Sequence, residues 1–283
     1  MKEIIVAIDF SKGSFHALKF AITIANTVNA NILLVWVKKP NTTDSIYKQM
    51  DEKQVKNIEE RFKEIIEKHK SLLKKGKIDF KVRKGKVHTE IANQAKYNDA
   101  YMIIAGTHGV SGFEEFWIGS NAYKIVTSSP CPVITIRYGF CTTKKISKIV
   151  LPIDDTMDTR QKVPFVAELA KLMKAEVHVL ATQTSKVKEV NKVIEKYTEQ
   201  TTKYFAENKV NFVCETRKGS NESDIIIEYA QSINAELIAI MTDQDSGASN
   251  IWLGPYAQQL VNHSPIPVLS IHPKQIYGLQ AQL

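Results

Sequence analysis

Short apolar runs alternate with longer amphipathic stretches along the first half of this chain. Glu3–Ile8, Ile32–Val37, Ile78–Arg83, Tyr101–Ala105 and Val133–Ile136 are bounded runs of strand length and predict five buried strands. Between them, apolar residues recur at a helical period. Ala17–Val28 aligns Leu18, Ala21, Ile22, Ala25 and Val28, and Tyr47–Leu73 aligns Met50, Ile58, Phe62, Ile65, Ile66 and Leu73. Val87–Ala95 and Ser120–Thr127 complete four predicted helices. Nearly continuous apolar strands separated by helices imply a parallel sheet with helices on both faces. In such a doubly wound sheet, ligands sit beyond the carboxyl ends of the strands, where the strand order reverses.

The pattern then repeats. Lys2–Asp9 is echoed by Lys148–Asp154, and Ala30–Val35 by Ala175–Leu180. Ser129-Pro130-Cys131-Pro132-Val133-Ile134 matches Ser264-Pro265-Ile266-Pro267-Val268-Leu269, and Trp117-Ile118-Gly119 matches Trp252-Leu253-Gly254. The offset is 145 residues early and 135 late, so the second copy is about ten residues shorter in its middle. The polar stretch Tyr138–Lys145 is the seam. Two tandem α/β domains are expected, over residues 1–140 and 146–283.

Composition adds little to this and excludes some functions. The 283 residues carry 43% hydrophobic and 24% charged side chains, as ordinary globular domains do. Met1–Phe10 reads as a strand without a cleavage site, so no signal peptide is expected, and no apolar run approaches the ~18 residues of a membrane span. Cys131, Cys141 and Cys214 lack any C-x-x-C spacing, which suits reduced thiols in the cytoplasm. The net charge of +8 is local. Residues 1–143 hold 22 Lys and Arg against 14 Asp and Glu, whereas residues 144–283 hold 16 of each. Fourteen of those cations lie between Lys48 and Lys86, interleaved with Glu59, Glu60, Glu64 and Glu67 at helical spacing. That pattern describes a solvated helix face, and no interleaved aromatics suggest stacking on nucleic acid.

Candidate chemistry concentrates in Ala105–Asn121, AGTHGVSGFEEFWIGSN, where Gly106, Gly109 and Gly119-Ser120 form G-x2-G-x9-G-S. A strand, a glycine loop and a helix start together expose backbone N–H groups that can surround an anion. The glycines also have a plain reading as turn residues. His108, between them, either donates to the anion or faces solvent. Asp9, at the end of the first strand, either accepts hydrogen bonds from a ligand's hydroxyls or caps the helix that begins near Ser11–Ser14. The pattern lacks the lysine of a phosphate-binding G-x4-G-K-[ST] loop, and no carboxylate pair or His–Ser arrangement would position an attacking water.

Through Val6–Ser11 (VAIDFS), the apolar second strand ending at Val37 and the G-x2-G-x9-G-S segment, the chain resembles a tandem member of the universal stress protein family over both halves. The resemblance implies a five-stranded sheet of order 3-2-1-4-5 in each domain, and ATP held with Mg²⁺ or Mn²⁺ in some members. Carried to this sequence, it implies an adenine pocket at Ala7, Ile8 and Val37 and a ribose contact at Asp9. Phosphates would meet Ala105, Gly106, His108, Gly109, Gly119, Ser120 and Asn121. The loop holds Glu114 and Glu115 but no Lys or Arg, so a divalent ion is expected to balance the phosphates.

The second copy differs at each anion-binding position. Met241, Asp243 and Gln244 stand where Gly106, His108 and Gly109 do, and Pro255 replaces Ser120, removing an N–H and a hydroxyl. One nucleotide site per chain is therefore expected, in the first half, with no catalytic residue and at most slow hydrolysis. Two other readings stay open. The protein is a non-nucleotide tandem member whose second cleft holds another small ligand or a metal near Asp154, Asp155, Asp243 and Asp245, or it is a nucleotide-hydrolysing or adenylate-transferring enzyme. Val133–Ile136 and Val268–Ile271 are further expected to pair as a pseudo-dimer within the chain, with a homodimer also open. Protein partners and the tail Lys274–Leu283 are not legible.

Overall fold

A computed structural model of the chain describes residues 1–39, 52–107, 119–242 and 253–273. There are two compact units, Met1–Thr143 and Lys144–Leu283. The first runs β1 (Lys2–Ala7), α1 (Lys12–Val28), β2 (Ala30–Lys38), α2 (Glu52–His69), β3 (Ile78–Lys84), α3 (Val87–Tyr97), β4 (Met102–Gly106), α4 (Ser120–Ser128) and β5 (Val133–Ile136). Every pairing is parallel. β1 lies between β2 and β4, with β3 beside β2 and β5 beside β4, which is the order 3-2-1-4-5.

The central strands are buried because both faces are covered, and their composition reflects it. Ile4, Ile5 and Val6 of β1 and Met102, Ile103 and Ile104 of β4 have no exposed surface. In β3, Asp79 and Lys81 remain exposed. α1 covers one face with Leu18, Phe20, Ala21, Ile24 and Ala25, all at most 1% exposed. It starts five residues before its apolar period does. Ser11 caps it, the hydroxyl accepting from the Ser14 N–H at 3.1 Å, and the first turn packs through Gly13 and Ser14, which carry no apolar signal. α2 shows why a strongly charged segment can still be helical. Phe62 is buried and stacks nearly parallel on Phe80 of β3, with ring centroids 4.9 Å apart. Lys56, Glu60, Lys63, Glu64 and Lys68 meanwhile point to solvent.

The second unit repeats the plan. β6 (Lys148–Ile153) is followed by a 3₁₀ turn over Met157–Lys162 and then α5 (Val163–Met173), β7 (Glu176–Gln183), α6 (Lys188–Glu207) and β8 (Phe212–Lys218). α7 (Glu222–Ser232), β9 (Leu237–Met241), α8 (Pro255–His263) and β10 (Val268–Ile271) complete it. β6 lies between β7 and β9, again all parallel. At the amino ends of its central strands, Glu236 ties β9 to β6. Its carboxylate accepts from Ser147 N (2.9 Å), Ser147 Oγ (3.0 Å) and Lys148 N (2.9 Å), and pairs with Lys144 Nζ at 2.7 Å. Burial alone would raise its pKa, but the donors from Lys144, Ser147 and Lys148 outweigh it and hold the carboxyl below its usual value.

Because the folded pKa is the lower one, this tie stabilises the second unit above the ordinary carboxylate range and is lost as pH falls through the folded value. Glu236→Ala, which leaves two backbone donors without their acceptor, is expected to cost about 1–3 kcal/mol at neutral pH. Urea unfolding across an acid series should show the gap between wild type and variant closing once pH drops below the reference 4.5.

Candidate functional site

In the first unit the strand order reverses between β2 and β4 on either side of β1, so a crevice opens at their carboxyl ends. The structure places a cavity of about 520 Å³ there. Ala7, Ile8, Asp9, Val37, Ala105, Gly106, Gly119, Ser120 and Asn121 all line it, so nine of the expected residues meet at one place. His108 and Gly109 lie outside the described residues.

The role of each residue can be read from its bonds. The helix cap is Ser11, so the alternative of Asp9 as the N-cap is set aside. Asp9 Oδ1 instead accepts the Ser11 N–H at 2.9 Å, with the carboxylate exposed at the cavity rim. Phe10, between them, is left-handed at φ 62°, a conformation that costs a non-glycine residue about 1–2 kcal/mol. Gly106 is required by packing and not by a positive φ. A Cβ there would lie 2.8 Å from the Gly13 carbonyl carbon and oxygen, so the glycine lets the end of β4 press against the first turn of α1. Gly119 donates to the Thr107 carbonyl at 2.6 Å and precedes α4 with no side-chain cap. The N–H groups of Ser120, Asn121 and Ala122 have no intrahelical acceptor, and all three residues border the cavity. An uncapped helix start facing a cavity is an anion site in waiting.

Several lining residues were not expected. Val35, Trp36, Val87, Ile91 and Ile125 make the walls apolar, and Ser11, Ser14 and Thr107 add hydroxyls. Val87 and Ile91 belong to α3, whose entry to the crevice follows from the β3-β2-β1 order and not from any local motif. Lys39 also lines the cavity and is the one cation among the described lining residues. It adds a positive charge to the N–H groups and the divalent ion expected to balance an anion here. The signal was available, since Lys39 lies two residues beyond Val37.

At corresponding positions of the second unit, polar and charged side chains bond groups of their own unit. By the repeat offset, Thr182 and Glu222 stand at the places of Val37 and Val87, both lining residues of the first cavity. Thr182 Oγ1 donates to Glu222 Oε1 at 2.6 Å and also bonds the Ile153 carbonyl. Lys162, at the place of Ala17, has no exposed surface, and its ammonium donates to Thr159 Oγ1 at 2.9 Å. Asp154 Oδ1 accepts from both N and Oγ1 of Thr156. α8 begins with Pro255, which has no N–H to offer. Among the described residues no group of three or more His, Cys, Asp or Glu is placed to hold a metal, and Asp243, Gln244 and Asp245 lie outside them. His178 is buried with both ring nitrogens engaged, 2.8 Å from Tyr229 Oη and 3.0 Å from Glu176 Oε1.

Comparison with known proteins agrees with the repeat. The Universal stress protein family matches residues 1–137 and again 145–272. A universal stress protein of Bacillus subtilis is 40% identical over 48 residues, 17% of this chain and 32% of that protein. Another, from Methanocaldococcus jannaschii, is 26% identical over 139 residues, covering 48% of this chain and 82% of its own length. A crystal structure of a universal stress protein from Archaeoglobus fulgidus shares the fold with a TM-score of 0.77 at 16% identity, over 96% of this chain and 98% of that one.

Glu222 and Lys162 of the second unit have pH signatures of opposite sign, Glu222 running against the trend of Glu236 and Lys162 with it. Burial pushes Lys162 down to about 8 against the pull of Asp154 and Glu222. Burial likewise pushes Glu222 up to about 7, against the Thr182 hydrogen bond and Lys162, with Asp154 and Asp155 adding to the rise. A raised carboxylate loses stability as pH climbs from 4.5 to about 7, and a lowered lysine regains it from about 8 to 10.5. Stability measured by urea unfolding should therefore pass through a trough between those limits. Glu222→Gln is expected to flatten the acid limb and Lys162→Met the alkaline one.

Proposed function

The chain belongs to the universal stress protein family, and from that premise we propose that its first unit binds ATP with Mg²⁺ or Mn²⁺ and acts as a stress-response sensor or scaffold. The observation that carries the reading is the uncapped start of α4 opening into the same cavity as Asp9 and an apolar wall. The volume of about 520 Å³ lies within the range of small-molecule pockets. Val37, Val87 and Ile91 offer a base an apolar slot, and the Val37 main chain supplies a donor and an acceptor at its edge. Asp9 accepts from the ribose hydroxyls. The N–H groups of Ser120, Asn121 and Ala122, the Ser120 hydroxyl and Lys39 receive the phosphates. His108 and Gly109 are assigned to the same phosphate loop.

A divalent ion would be held chiefly by phosphate oxygens and water, as Mg²⁺ commonly is. It would offset the charge that one lysine and a helix start leave unbalanced. No side chain described at the cavity is arranged to activate a water, so the proposal is binding with little or no hydrolysis. Three cysteines without a disulfide fit a reducing, cytoplasmic setting.

Ser120→Pro tests the assignment by copying the second unit, where proline already opens the equivalent helix. Wild-type protein is expected to show one ATP site per chain by isothermal titration and a thermal shift that grows with Mg-ATP, about 2.7 kcal/mol of stabilisation at a hundredfold excess over Kd. Ser120→Pro should remain folded, since proline suits a first helical position, and lose the ATP-dependent shift. A wild type indifferent to Mg-ATP, or two equivalent sites, would overturn the reading.

A further inference from the structure

Phe10 does something that no other described residue of this chain does. Among the described residues, six that are not glycine have a positive φ: Phe10, Asn29, Asp99, Lys174, Lys209 and Asn234. The last five follow the ends of α1, α3, α5, α6 and α7, where a left-handed residue is an ordinary way to stop a helix. Phe10 instead stands between the end of a strand and the cap of a helix, flanked by Asp9 and Ser11, both of which border the cavity. Strain persists at such a place only where the surroundings over-determine it.

The surroundings are explicit. The Phe10 ring centroid is 5.2 Å from that of the buried Phe62, 6.4 Å from Trp36 and 6.5 Å from Phe15. The Arg61 guanidinium sits over its face, 3.9 Å from the centroid. Arg61 and Phe62 both belong to α2, so one helix makes two of the ring's contacts. A cation over a ring and tilted ring pairs are directional contacts, and here they fix the side chain of the strained residue.

The second unit shows the turn without this device. Asp155 stands where Phe10 does and is not left-handed. The chain leaves β6 through a 3₁₀ turn, the Asp154 carboxylate accepts the Thr156 N–H as Asp9 accepts that of Ser11 but takes up the Thr156 hydroxyl as well, and Lys162 is turned into the interior. In the first unit α1 starts directly at its Ser11 cap, whose hydroxyl is engaged with the Ser14 N–H, and among the described residues Asp9 accepts only the Ser11 N–H, leaving the carboxylate at the cavity rim.

We infer that Phe10 is a positioning residue for Asp9, clamped by Arg61 and Phe62, so that the docking of α2 sets the cleft's preference for a ligand carrying vicinal hydroxyls. The identity of that ligand as a nucleotide rests on the function proposed above. Linkage makes the coupling reciprocal. A ligand that engages Asp9 favours the docked α2, and anything that draws α2 away weakens the ligand.

Two substitutions separate the ring from the backbone. Phe10→Ala keeps the strain and removes the clamp, whereas Phe10→Gly adopts a positive φ at no steric cost. Two readouts are needed in full-length protein: the Kd ratio of ATP to 2′,3′-dideoxy-ATP, and the exchange rate of the Ser11 amide hydrogen without ligand. Phe10→Ala is expected to bring the ratio close to one and to speed Ser11 exchange about tenfold, the factor that the strain of one left-handed residue corresponds to. Phe10→Gly should keep both near wild-type values, and Arg61→Ala should move both part of the way while sparing the core. Should Phe10→Ala fail to unfold cooperatively, Arg61→Ala decides the question by the same two readouts. Wild-type ratio and exchange in Phe10→Ala, or a Phe10→Gly as defective as Phe10→Ala, would overturn the inference. A wild type that binds neither nucleotide would bring down the proposed function, and the ligand-free exchange rates would still settle the role of Phe10.

Discussion

A parallel sheet sends every strand's carboxyl end to the same side, and neighbouring strands are only about 4.8 Å apart. At the reversal beside β1, the end of β4 must come close to the first turn of α1. The contact that allows it is Gly106 against Gly13, where a single added methyl would come within 2.8 Å of main chain. Much else in the first unit follows from that approach. It brings the first turn of α1 to the end of β4, and Ser11, Ser14 and Gly106 come to line one wall of the same cavity. It also makes Gly106 indispensable whether or not a ligand is bound.

This is why some of the architecture was legible in the sequence and some was not. Continuous runs such as Ile4-Ile5-Val6 have few uses other than a strand covered on both faces, and α4 begins where Gly119-Ser120 suggested. The start of α1 near Ser11–Ser14 was legible only from capping residues, because Lys12, Gly13 and Ser14 hold the first turn by capping and close packing, neither of which leaves an apolar period. The predicted helix over Tyr47–Leu73 is observed as α2 from Glu52 to His69 with a 3₁₀ turn after it, and residues 40–51 are not described. In the site, nine expected residues border the cavity because they sit at strand ends or a helix start. Val87 and Ile91 escaped because α3 reaches the crevice only through the lateral order of the strands. The positive φ of Phe10 and the burial of Lys162 are consequences of tertiary packing, and nothing local to either residue announces them.

The two units put the same chain path to different electrostatic use. In the first, the positions facing the cleft are apolar, hydroxyl-bearing or backbone N–H groups, and the charged residues at its rim, Asp9 and Lys39, are exposed to solvent. In the second, the Lys162 ammonium turns inward to Thr159, and Thr182 donates to Glu222. Removing a lysine from water is expensive even when carboxylates are near, and the shifts of Lys162 and Glu222 toward their neutral forms record that expense. A cleft that has internalised its own cation and acid has less to offer an incoming nucleotide.

Each unit thus retains a feature that, taken alone, disfavours its folded state, and the features differ in kind. The first keeps a left-handed phenylalanine and an uncapped helix start. The second relaxes the turn and opens its helix with a proline that has no N–H to satisfy, yet carries a buried lysine. The shared core does not require either set, because the same strand order and the same apolar strands stand above both. A bound anion relieves unsatisfied N–H groups at the start of α4, whereas no external ligand is needed to relieve a lysine already bonded to Thr159. On the function proposed above, ligand binding has more to relieve in the first cleft, at the start of α4, than at the described positions of the second, where Pro255 opens the helix and Lys162 is bonded to Thr159.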